Sequence, residues 1–453
     1  MSKVNIYCFT LIKKRGFYHE KNWLALTSVG LLSTLVLSAC GGSSSSAPKT
    51  KDGKIEVEFW FAGGKTAVNV WKDIIKDYNK SQDKYEIKAV TQADYGETYT
   101  KLQAAIAGNK APDLVLLDTA PSRNLDKKKL LVDINELAKD DKDFKEDNYL
   151  QVFADQGKNK DGKRYGLPAY GTTQVMYYNQ EAFKTANIQP DSIKTWQDMG
   201  KAAQAIKDTG KFKYGWEPMW GQYNLIDASL SNDAKMFSED GKTVTINDKE
   251  WVEVWEQFRS WIHDDKTMTV NSGGQGWEYW YKTIDDVLDN TAGGYIGSSG
   301  DQADLDFKKV QAMEQPAWDA DSKSAPAADA LLMDVLAKST KDEQKGAYDF
   351  MKYFTNVENQ VKWTKAVGYV AVNKAITENA DYKAYVKENP QALVPFEQAK
   401  HGSVLPIDPT DGAIYDALKI AADKVELENV PAQKALDDAQ KTAQKALDKA
   451  LEK

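Results

Sequence analysis

The sequence predicts an α/β fold built as two lobes. Between residues 54 and 118, strand-like and helix-like segments alternate, which is typical of a sheet with helices on both faces. The chain has 453 residues, and the roughly 400 that follow residue 53 exceed what one hydrophobic core usually covers. The run 166–179 interrupts the alternation, because a Gly- and Pro-punctuated start leads into an aromatic strand. We therefore place a passage from a first lobe to a second at this run.

The first 46 residues have the layout of a secretory signal followed by a spacer. Basic residues precede the apolar run 24–37, and small residues lead from it to Cys40. This pattern resembles a bacterial lipoprotein signal, which implies that Cys40 becomes the mature N-terminus and carries a lipid. A plain secretory signal with a chance cysteine, or an uncleaved span, are the alternatives, although the run is short for a span of about 20 residues. We assign 1–39 to the signal peptide and 40–53 to the lipidated cysteine and a flexible tether on the outer face of a bacterial cell membrane.

Composition narrows the classes of partner. The chain carries 59 Lys and Arg against 67 Asp and Glu, and the part after residue 39 carries 54 against 66. This acidic balance argues against nucleic acid and anionic lipid surfaces as partners. Cys8 and Cys40 are the two cysteines, so the body has no disulfide, and only His263 and His401 follow the signal. We therefore predict no metal site, no cofactor and no catalytic residues.

The first lobe begins with five segments whose apolar spacing defines their type. The predicted elements, in order, are a strand at 54–61, a helix at 68–78, a strand at 85–91, a helix at 99–107 that stops at Gly108, and a strand at 113–118. The alternation favours a mostly parallel sheet, in which ligands gather at the loops beyond the carboxyl ends of strands. Those loops are 62–65, 92–97 and 118–122.

Later segments read mainly as packed helices. Trp251, Trp255, Phe258 and Ile262 recur at helical spacing, so we expect core packing there. The run 190–199 contains a helix start, 294–297 reads as a strand, and 343–354 reads as a helix. The last helix places Leu436, Ala439, Ala443, Leu447 and Ala450 on one face, as a packed amphipathic helix does. A coiled coil is the alternative for this helix, but the run is too short for several heptads.

Six short pieces then occur in a familiar order. They are Ala111–Val115, Tyr165–Pro168, Met176–Asn179, Lys194–Trp196, Thr355–Gln360 and Gly368–Val372. Together they resemble the extracellular solute-binding proteins of carbohydrate ABC importers, the family 1 solute-binding proteins that include maltose-binding protein. The resemblance covers nearly all of residues 54–447.

The resemblance implies a type II periplasmic-binding-protein fold, also called a Venus flytrap. Two α/β lobes joined by three hinge crossings would close on a ligand and deliver it to an ABC permease. The second and third crossings would fall at 324–330 and 368–372. The implied lobes are residues 54–168 with 326–367, and residues 169–325 with 368–453.

Some ligand-binding residues follow from the resemblance. The family's first loop matches Trp60 and Lys65, and its aromatic after Glu-Pro matches Trp220. Where maltose-binding protein has a glutamate on the crossing strand this chain has Thr172, and the position of its later stacking tryptophan falls near Ser299. The chain departs from the pattern of maltose-binding protein at Gly64, Ala120 and Ile414. These departures argue against maltodextrin as the ligand.

Other candidates follow from the residues themselves. Aromatic rings match the C–H faces of sugars, and the aromatic loop 214–223 makes Trp216 a candidate. The loop 92–97 offers Tyr95 and Glu97, and Asp118 ends a buried strand, where helix capping is an equal alternative. Ser298 and Ser299 lie in a small-residue loop that is otherwise a tight turn before a cap at Asp301, and Tyr369 lies in the third crossing.

The predicted function is capture of a sugar or oligosaccharide for import, by a chain that we expect to be a monomer. Binding of glycerol 3-phosphate or glycerophosphodiesters is the alternative, although only Arg123, Arg164 and Arg259 follow the signal, and phosphate favours bidentate arginine. A lipid-anchored adhesin is a rival. A glycoside hydrolase is another, since it needs two carboxyl groups flanking one bond. Its candidate carboxylates are Glu97, Asp118, Glu217 and Asp301.

Overall fold

The computed structural model describes residues 47–275, 277–410 and 412–452. The predicted signal peptide and Cys40 lie outside these residues. The described residues form seven strands: β1 Ile55–Phe61, β2 Tyr85–Thr91, β3 Leu114–Asp118, β4 Leu167–Asn179, β5 Gly294–Ser298, β6 Val310–Met313 and β7 Ala328–Val335. They also form sixteen α-helices: α1 Lys65–Ser81, α2 Tyr95–Ala107, α3 Thr119–Lys127, α4 Ile134–Ala138, α5 Gln151–Ala154, α6 Gln180–Thr185, α7 Trp196–Asp208, α8 Gln222–Leu230, α9 Lys249–His263, α10 Glu278–Leu288, α11 Lys341–Phe354, α12 Val357–Val367, α13 Ala380–Glu388, α14 Val394–Ala399, α15 Ala413–Glu426 and α16 Ala432–Leu451.

The strands are hydrogen-bonded in the order β2-β1-β3-β7-β4-β5, and β6 also pairs with β4. The prediction of a mostly parallel sheet is wrong beyond the first three strands, because β7 returns antiparallel between β3 and β4. β1 pairs in parallel with β2 and β3, whereas every pairing of β4 is antiparallel. The result is a mixed α/β sheet.

Strand β4 runs through the stretch where the sequence placed the first crossing. Its first half, Leu167–Thr173, pairs with β7, and its second half, Gln174–Asn179, pairs with β5 and β6. Leu167 belongs to one hydrophobic core and Met176 to another. One continuous strand therefore carries the chain from the first core to the second.

Each lobe is organised around its own core. The first core packs α1, α11 and α12 against β1, β3 and β7, with Trp71 stacked on Phe354 at 3.8 Å between ring centroids. The second core packs α7, α8 and α9 with the C-terminal helices α15 and α16. A smaller cluster next to it joins α10 to β4 and β5.

The third crossing lies later in the chain than the resemblance implied. Val370, Val372 and Ala399 pack in the first core, and Ile414 is in the second. Val370 also forms a β-bridge with Gly171, in the first-core half of β4. This pairing holds the segment 368–399, which the sequence assigned to the second lobe, against the first core, so the chain crosses after Ala399.

Local sequence signals fix several helix ends. Thr195 and Thr340 begin α7 and α11 with reciprocal side-chain and backbone hydrogen bonds, the capping-box arrangement. Helix α12 ends at Gly368, whose φ of 87° lies in the left-handed region that favours glycine. The chain can therefore turn sharply into the segment that carries Tyr369.

Candidate functional site

Two aspartates lie side by side where β3 ends and β7 begins. Asp118 is paired with Leu331 across the two strands, two residues from Asp329, so both carboxylates lie on the same face of the sheet. Thr172 of β4 is directly opposite Asp329 on that face. Asp118, Asp329 and Thr172 form what we call the acidic floor.

Both carboxylates of the floor have raised pKa values. Asp118 is exposed at the end of β3, and loss of hydration raises its pKa to about 6. Loss of hydration, then the charge of Asp118, raise the pKa of Asp329 to about 7, and the charge of Arg123 opposes this shift. Within the described parts of the chain, neither carboxylate accepts a hydrogen bond from another residue. Both are therefore available to hydroxyl donors of a ligand.

Three tyrosines line the first-lobe side of the floor. The hydroxyls of Tyr95 and Tyr170 are 2.8 Å apart, and Tyr170 stacks on Tyr369 with ring centroids 4.9 Å apart. Burial raises the pKa of Tyr369 to about 12, with the charges of Asp301 and Asp118 adding to it. Tyr170 is fully buried, whereas Tyr95 and Tyr369 are only partly buried. Its hydrogen bond to Tyr95 and its stacking on Tyr369 therefore position both of these rings.

The second lobe faces the same floor with a pair of stacked tyrosines. Tyr223 of α8 and Tyr415 of α15 have ring centroids 6.4 Å apart and an interplanar angle of 29°. The Tyr415 hydroxyl donates to the carbonyl of Pro406 at 2.8 Å, which fixes that ring. Tyr223 is 48% exposed, and loss of hydration, followed by the charges of Asp329 and Asp118, raises its pKa to about 12. The floor of one lobe and the aromatic pair of the other therefore line one cleft.

The crossing strand closes the cleft at its base. The hydroxyl oxygen of Thr172 lies 3.3 Å from that of Ser298 and 3.4 Å from that of Ser299. Ser298 caps the turn after β5 by accepting from the backbone of Gly300. A side chain at Gly300 would meet the ring of Tyr369 at 2.7 Å, so glycine lets the two segments approach closely.

Asp301 does not take the helix-cap role that the sequence allowed. Its carboxylate accepts from the indole of Trp280 at 3.0 Å and from the hydroxyl of Tyr295 at 3.1 Å. Burial raises the pKa of Asp301 to about 8, and both hydrogen bonds oppose the shift. Asp301 therefore joins α10 to β5 behind the cleft.

The structure brings together Tyr95, Asp118, Thr172, Ser298 and Tyr369 of the predicted residues. Ser299 reaches Thr172 but is itself fully buried. The prediction that Trp216 lines the cleft is not supported, because its ring is fully buried in the second core. We therefore remove Trp216 from the candidate site.

Of the four other predicted residues, three contact protein neighbours and Lys65 is exposed. Trp220 is half-buried, donates from its indole to Asp423 at 2.8 Å and packs edge-on against Tyr279. Trp60 donates to Glu58 at 2.7 Å, Lys65 is exposed at the start of α1, and Glu97 pairs with Lys101. Their place in the ligand site stays a prediction.

Sequence reasoning missed Asp329, Tyr223 and Arg123 as site residues. Asp329 was detectable as an acid near the start of the otherwise apolar strand β7. Tyr223 lies in the aromatic loop that the sequence singled out, one residue into α8. No local sequence signal marked Arg123. Only the fold brings its charge close enough to act on Asp329.

Some findings bear on other kinds of site. Within the described residues, no group of three or more His, Cys, Asp or Glu side chains is placed to hold a metal ion. A depression of about 400 Å³ lies apart from the cleft, against α13 and α14, with Lys374, Lys383 and Lys400 on its rim. In the described parts of the chain, no helix is both long and apolar enough to cross a membrane.

The chain is similar to known proteins over most of its length. A family model described as "Bacterial extracellular solute-binding protein" matches residues 73–391. The arabinooligosaccharide-binding protein of Bacillus subtilis (strain 168) is 30% identical over 256 residues, which is 55% of this chain and 57% of that protein. The sn-glycerol-3-phosphate-binding periplasmic protein UgpB of Yersinia pestis is 24% identical over 366 residues, 78% of this chain and 82% of that protein.

The fold is similar to that of a crystallised sugar-binding protein. The cyclic α-maltosyl-1,6-maltose binding protein from Arthrobacter globiformis superimposes with a TM-score of 0.73 at 19% identity. The superposition covers 88% of this chain and 100% of that protein. The type II periplasmic-binding fold predicted from the sequence is thereby confirmed.

Proposed function

Because the chain belongs to the bacterial extracellular solute-binding protein family, we propose that it captures a neutral sugar or oligosaccharide for an ABC importer. The ligand binds in the cleft between the lobes, and the closed protein delivers it to the membrane permease. In this proposal a lipid on Cys40 tethers the protein to the outer face of the cell membrane. Glycerol 3-phosphate and its diesters are the second candidate class.

The choice of a neutral sugar rests on one observation, the negative charge of the cleft floor. Among the described residues, neither Asp118 nor Asp329 accepts a hydrogen bond from another residue, and the charge of Arg123 offsets that of Asp329. A carboxylate accepts hydrogen bonds from sugar hydroxyls, and such charge-assisted bonds are stronger than neutral ones. A sugar therefore supplies what the floor lacks.

A phosphate ester fits this floor poorly. A phosphate brings further negative charge against two carboxylates that already raise each other's cost of ionisation. Phosphate sites usually present arginine forks or lysines, and the charge of Arg123 acts here on Asp329. The similarity to glycerol-phosphate binders still makes this class worth testing directly.

The aromatic residues also favour a sugar. Tyr223 and Tyr369 face the floor from the two lobes, and their rings offer flat apolar surfaces of the kind that pack on C–H faces. A ligand that touches Tyr223 in one lobe and Asp118 in the other interacts more strongly with a closed form than with an open one. Such differential contact is what shifts a hinged protein towards closure.

The proposal includes no catalysis. Two of the four carboxylates considered for a hydrolase, Glu217 and Asp301, are at most 7% exposed. Asp301 is already engaged with Trp280 and Tyr295. Neither is placed to flank a glycosidic bond in the cleft. Product analysis after prolonged incubation with a bound oligosaccharide is expected to recover it intact.

A thermal-shift screen of the full-length chain in detergent tests the ligand class. The panel contains arabino-oligosaccharides, malto-oligosaccharides, monosaccharides, glycerol 3-phosphate and glycerophosphocholine. Selective binding to the folded state adds about 2.7 kcal/mol of stability at a hundredfold excess over Kd, which raises the melting temperature. We expect a shift with one sugar series and none with the phosphate esters.

The other outcomes are equally informative. A shift with glycerol phosphates alone would replace the proposed ligand with the second class. A chain that responds to no sugar and no phosphate ester would contradict the proposal. Exposed aromatic rings without ligand-dependent stabilisation would instead favour the adhesin.

A further inference from the structure

Helix α10 carries two large aromatic side chains that the fold leaves uncovered. Trp277, at the start of the helix, is 62% exposed, and Tyr281, four residues later, is 54% exposed. Among the described residues, Tyr223, Trp277 and Tyr281 are the Trp and Tyr side chains that are exposed, and exposing two of them on one helix needs a reason. Residues four apart on a helix are neighbours, so the two rings form one surface.

Trp280, which lies between Trp277 and Tyr281 in the chain, links this surface to the cleft. The Trp280 indole donates to Asp301 at 3.0 Å, in the turn that follows Ser298 at the base of the cleft. The ring of Trp277 lies perpendicular to that of Trp280, with 5.9 Å between centroids. Trp280 is thus the anchor, and it leaves the faces of Trp277 and Tyr281 free.

The aromatic surface lies next to the wall of the cleft. Asp301, which accepts from Trp280, follows Gly300, and Gly300 lies against the ring of Tyr369 in that wall. Trp277 lies one turn before Tyr281, and one turn of a helix advances about 5.4 Å. That step is comparable to the length of one sugar unit in a chain. The aromatic surface therefore continues the cleft by about one residue of an oligosaccharide.

We propose that Trp277 and Tyr281 form an outer subsite that stacks on an additional sugar unit, so that the physiological ligand is an oligosaccharide and not a monosaccharide. This inference rests on the proposed function, because it extends the same cleft. The inner site is made by the acidic floor with Tyr223 and Tyr369. The outer subsite adds affinity only for ligands long enough to reach α10.

Calorimetric titration of the full-length chain in detergent with two sugar series tests this subsite. The probes are arabinose to arabinohexaose and glucose to maltohexaose, and the variants are Trp277→Ala and Trp277→Phe. In the native chain Kd is expected to fall at least tenfold between the shortest ligand that binds and the longest. Trp277→Ala is expected to remove most of that gain while changing Kd for the shortest ligand less than twofold, and Trp277→Phe to restore part of it.

A matched control separates the subsite from a general effect of surface truncation. Ile420 on α15 is 58% exposed, and Ile420→Ala removes a similar kind of exposed apolar group elsewhere. It is expected to leave the whole length series unchanged. Melting temperatures of the three variants without ligand, equal to that of the native chain, would exclude a folding cause.

Three results would overturn the outer subsite. They are a native Kd that does not depend on chain length, a Trp277→Ala variant with an unchanged length series, and an equal loss for short and long ligands. In each of these cases sugars still bind, so the proposed function stands. If neither series binds the native chain at any length, both the proposed function for these sugars and the subsite are overturned.

Discussion

Two pairs of carboxylates in this chain both have raised pKa values, but their surroundings differ. In the cleft, Asp118 and Asp329 are partly reached by water and, within the described residues, accept no hydrogen bond from other residues. In the second lobe, Glu217 and Asp301 are buried, and loss of hydration raises each pKa to about 8. Asp301 accepts from Trp280 and Tyr295, and Glu217 accepts from Asn271 at 3.1 Å.

The difference distinguishes carboxylates suited to binding a ligand from carboxylates that stabilise the fold. A buried carboxyl group with protein donors stabilises one arrangement of the elements around it, and its removal leaves those donors unpaired. A carboxylate that lacks donors but can be reached from solvent contributes little to the fold and is ready for a ligand. A raised pKa is common to both pairs, so it does not by itself distinguish a ligand-binding carboxylate from a structural one. The presence or absence of protein hydrogen-bond donors does.

The largest effect that this comparison predicts is on ligand binding by Asp118→Asn. A hydrogen bond to a charged group contributes about 1.5–3 kcal/mol, so losing the charge is expected to raise the sugar Kd about tenfold to a hundredfold. The melting temperature without ligand is expected to stay level or rise, because the repulsion between Asp118 and Asp329 is removed. Calorimetry with the bound sugar and a thermal melt measure the two quantities.

The exposed Asp285 on α10 provides the matched control. Asp285→Asn makes the same chemical change outside the cleft and should leave both quantities unaltered. A normal Kd for Asp118→Asn would remove Asp118 from the site. A large loss of stability would place it with the structural carboxylates instead.

The opposite pattern is expected for Asp301→Asn. The new amide keeps one acceptor oxygen, so either the Trp280 indole or the Tyr295 hydroxyl loses its partner. Leaving one buried donor unpaired is expected to lower the free energy of unfolding by about 1 kcal/mol, measured by urea denaturation. The Kd for a short sugar should change less than it does for Asp118→Asn. A greater effect on Kd than on unfolding would contradict the structural role.

Much of the fold could be predicted because it depends on local patterns. The apolar spacing of the first five segments gave β2 at its observed bounds and α1, α2 and β3 within a few residues, since burial on one face leaves a periodic trace. The aromatic run at 166–179 coincides with β4, whose two halves pack in different cores. The placement of 368–399 could not be predicted locally, because the bridge between Val370 and Gly171 joins residues that are far apart in the chain.

The site was harder to predict because its parts come together only through pairing. Asp118 was a candidate from its position at the end of a strand, but its proximity to Asp329 arises only because β7 returns antiparallel beside β3. Trp216 and Trp220 looked alike in sequence, four residues apart in one loop. One is fully buried and the other half-buried, and this difference is set by the packing of Gly294 against Trp216.

The last expected effect concerns the pH dependence of stability at Glu217. Burial, and then the charge of Asp286, raise the pKa of this carboxyl group to about 8, from an ordinary value of 4.5. Between these values the folded chain keeps a proton that the unfolded chain has lost, so stability falls as pH rises from about 5 to 8. Above that range the contribution no longer changes.

Glu217→Gln removes this proton linkage while keeping the shape of the side chain and the contact with Asn271. The stability of the variant relative to the native chain is therefore expected to increase steadily between pH 5 and pH 8, measured by urea denaturation at each pH. Glu388→Gln, an exposed change on α13, should run parallel to the native chain at every pH. Should Glu217→Gln also run parallel, the carboxyl group would ionise in the folded state as it does in the unfolded chain, which would contradict the role of Glu217 as a buried neutral group. A steady divergence would show that the neutral form of Glu217 belongs to the fold.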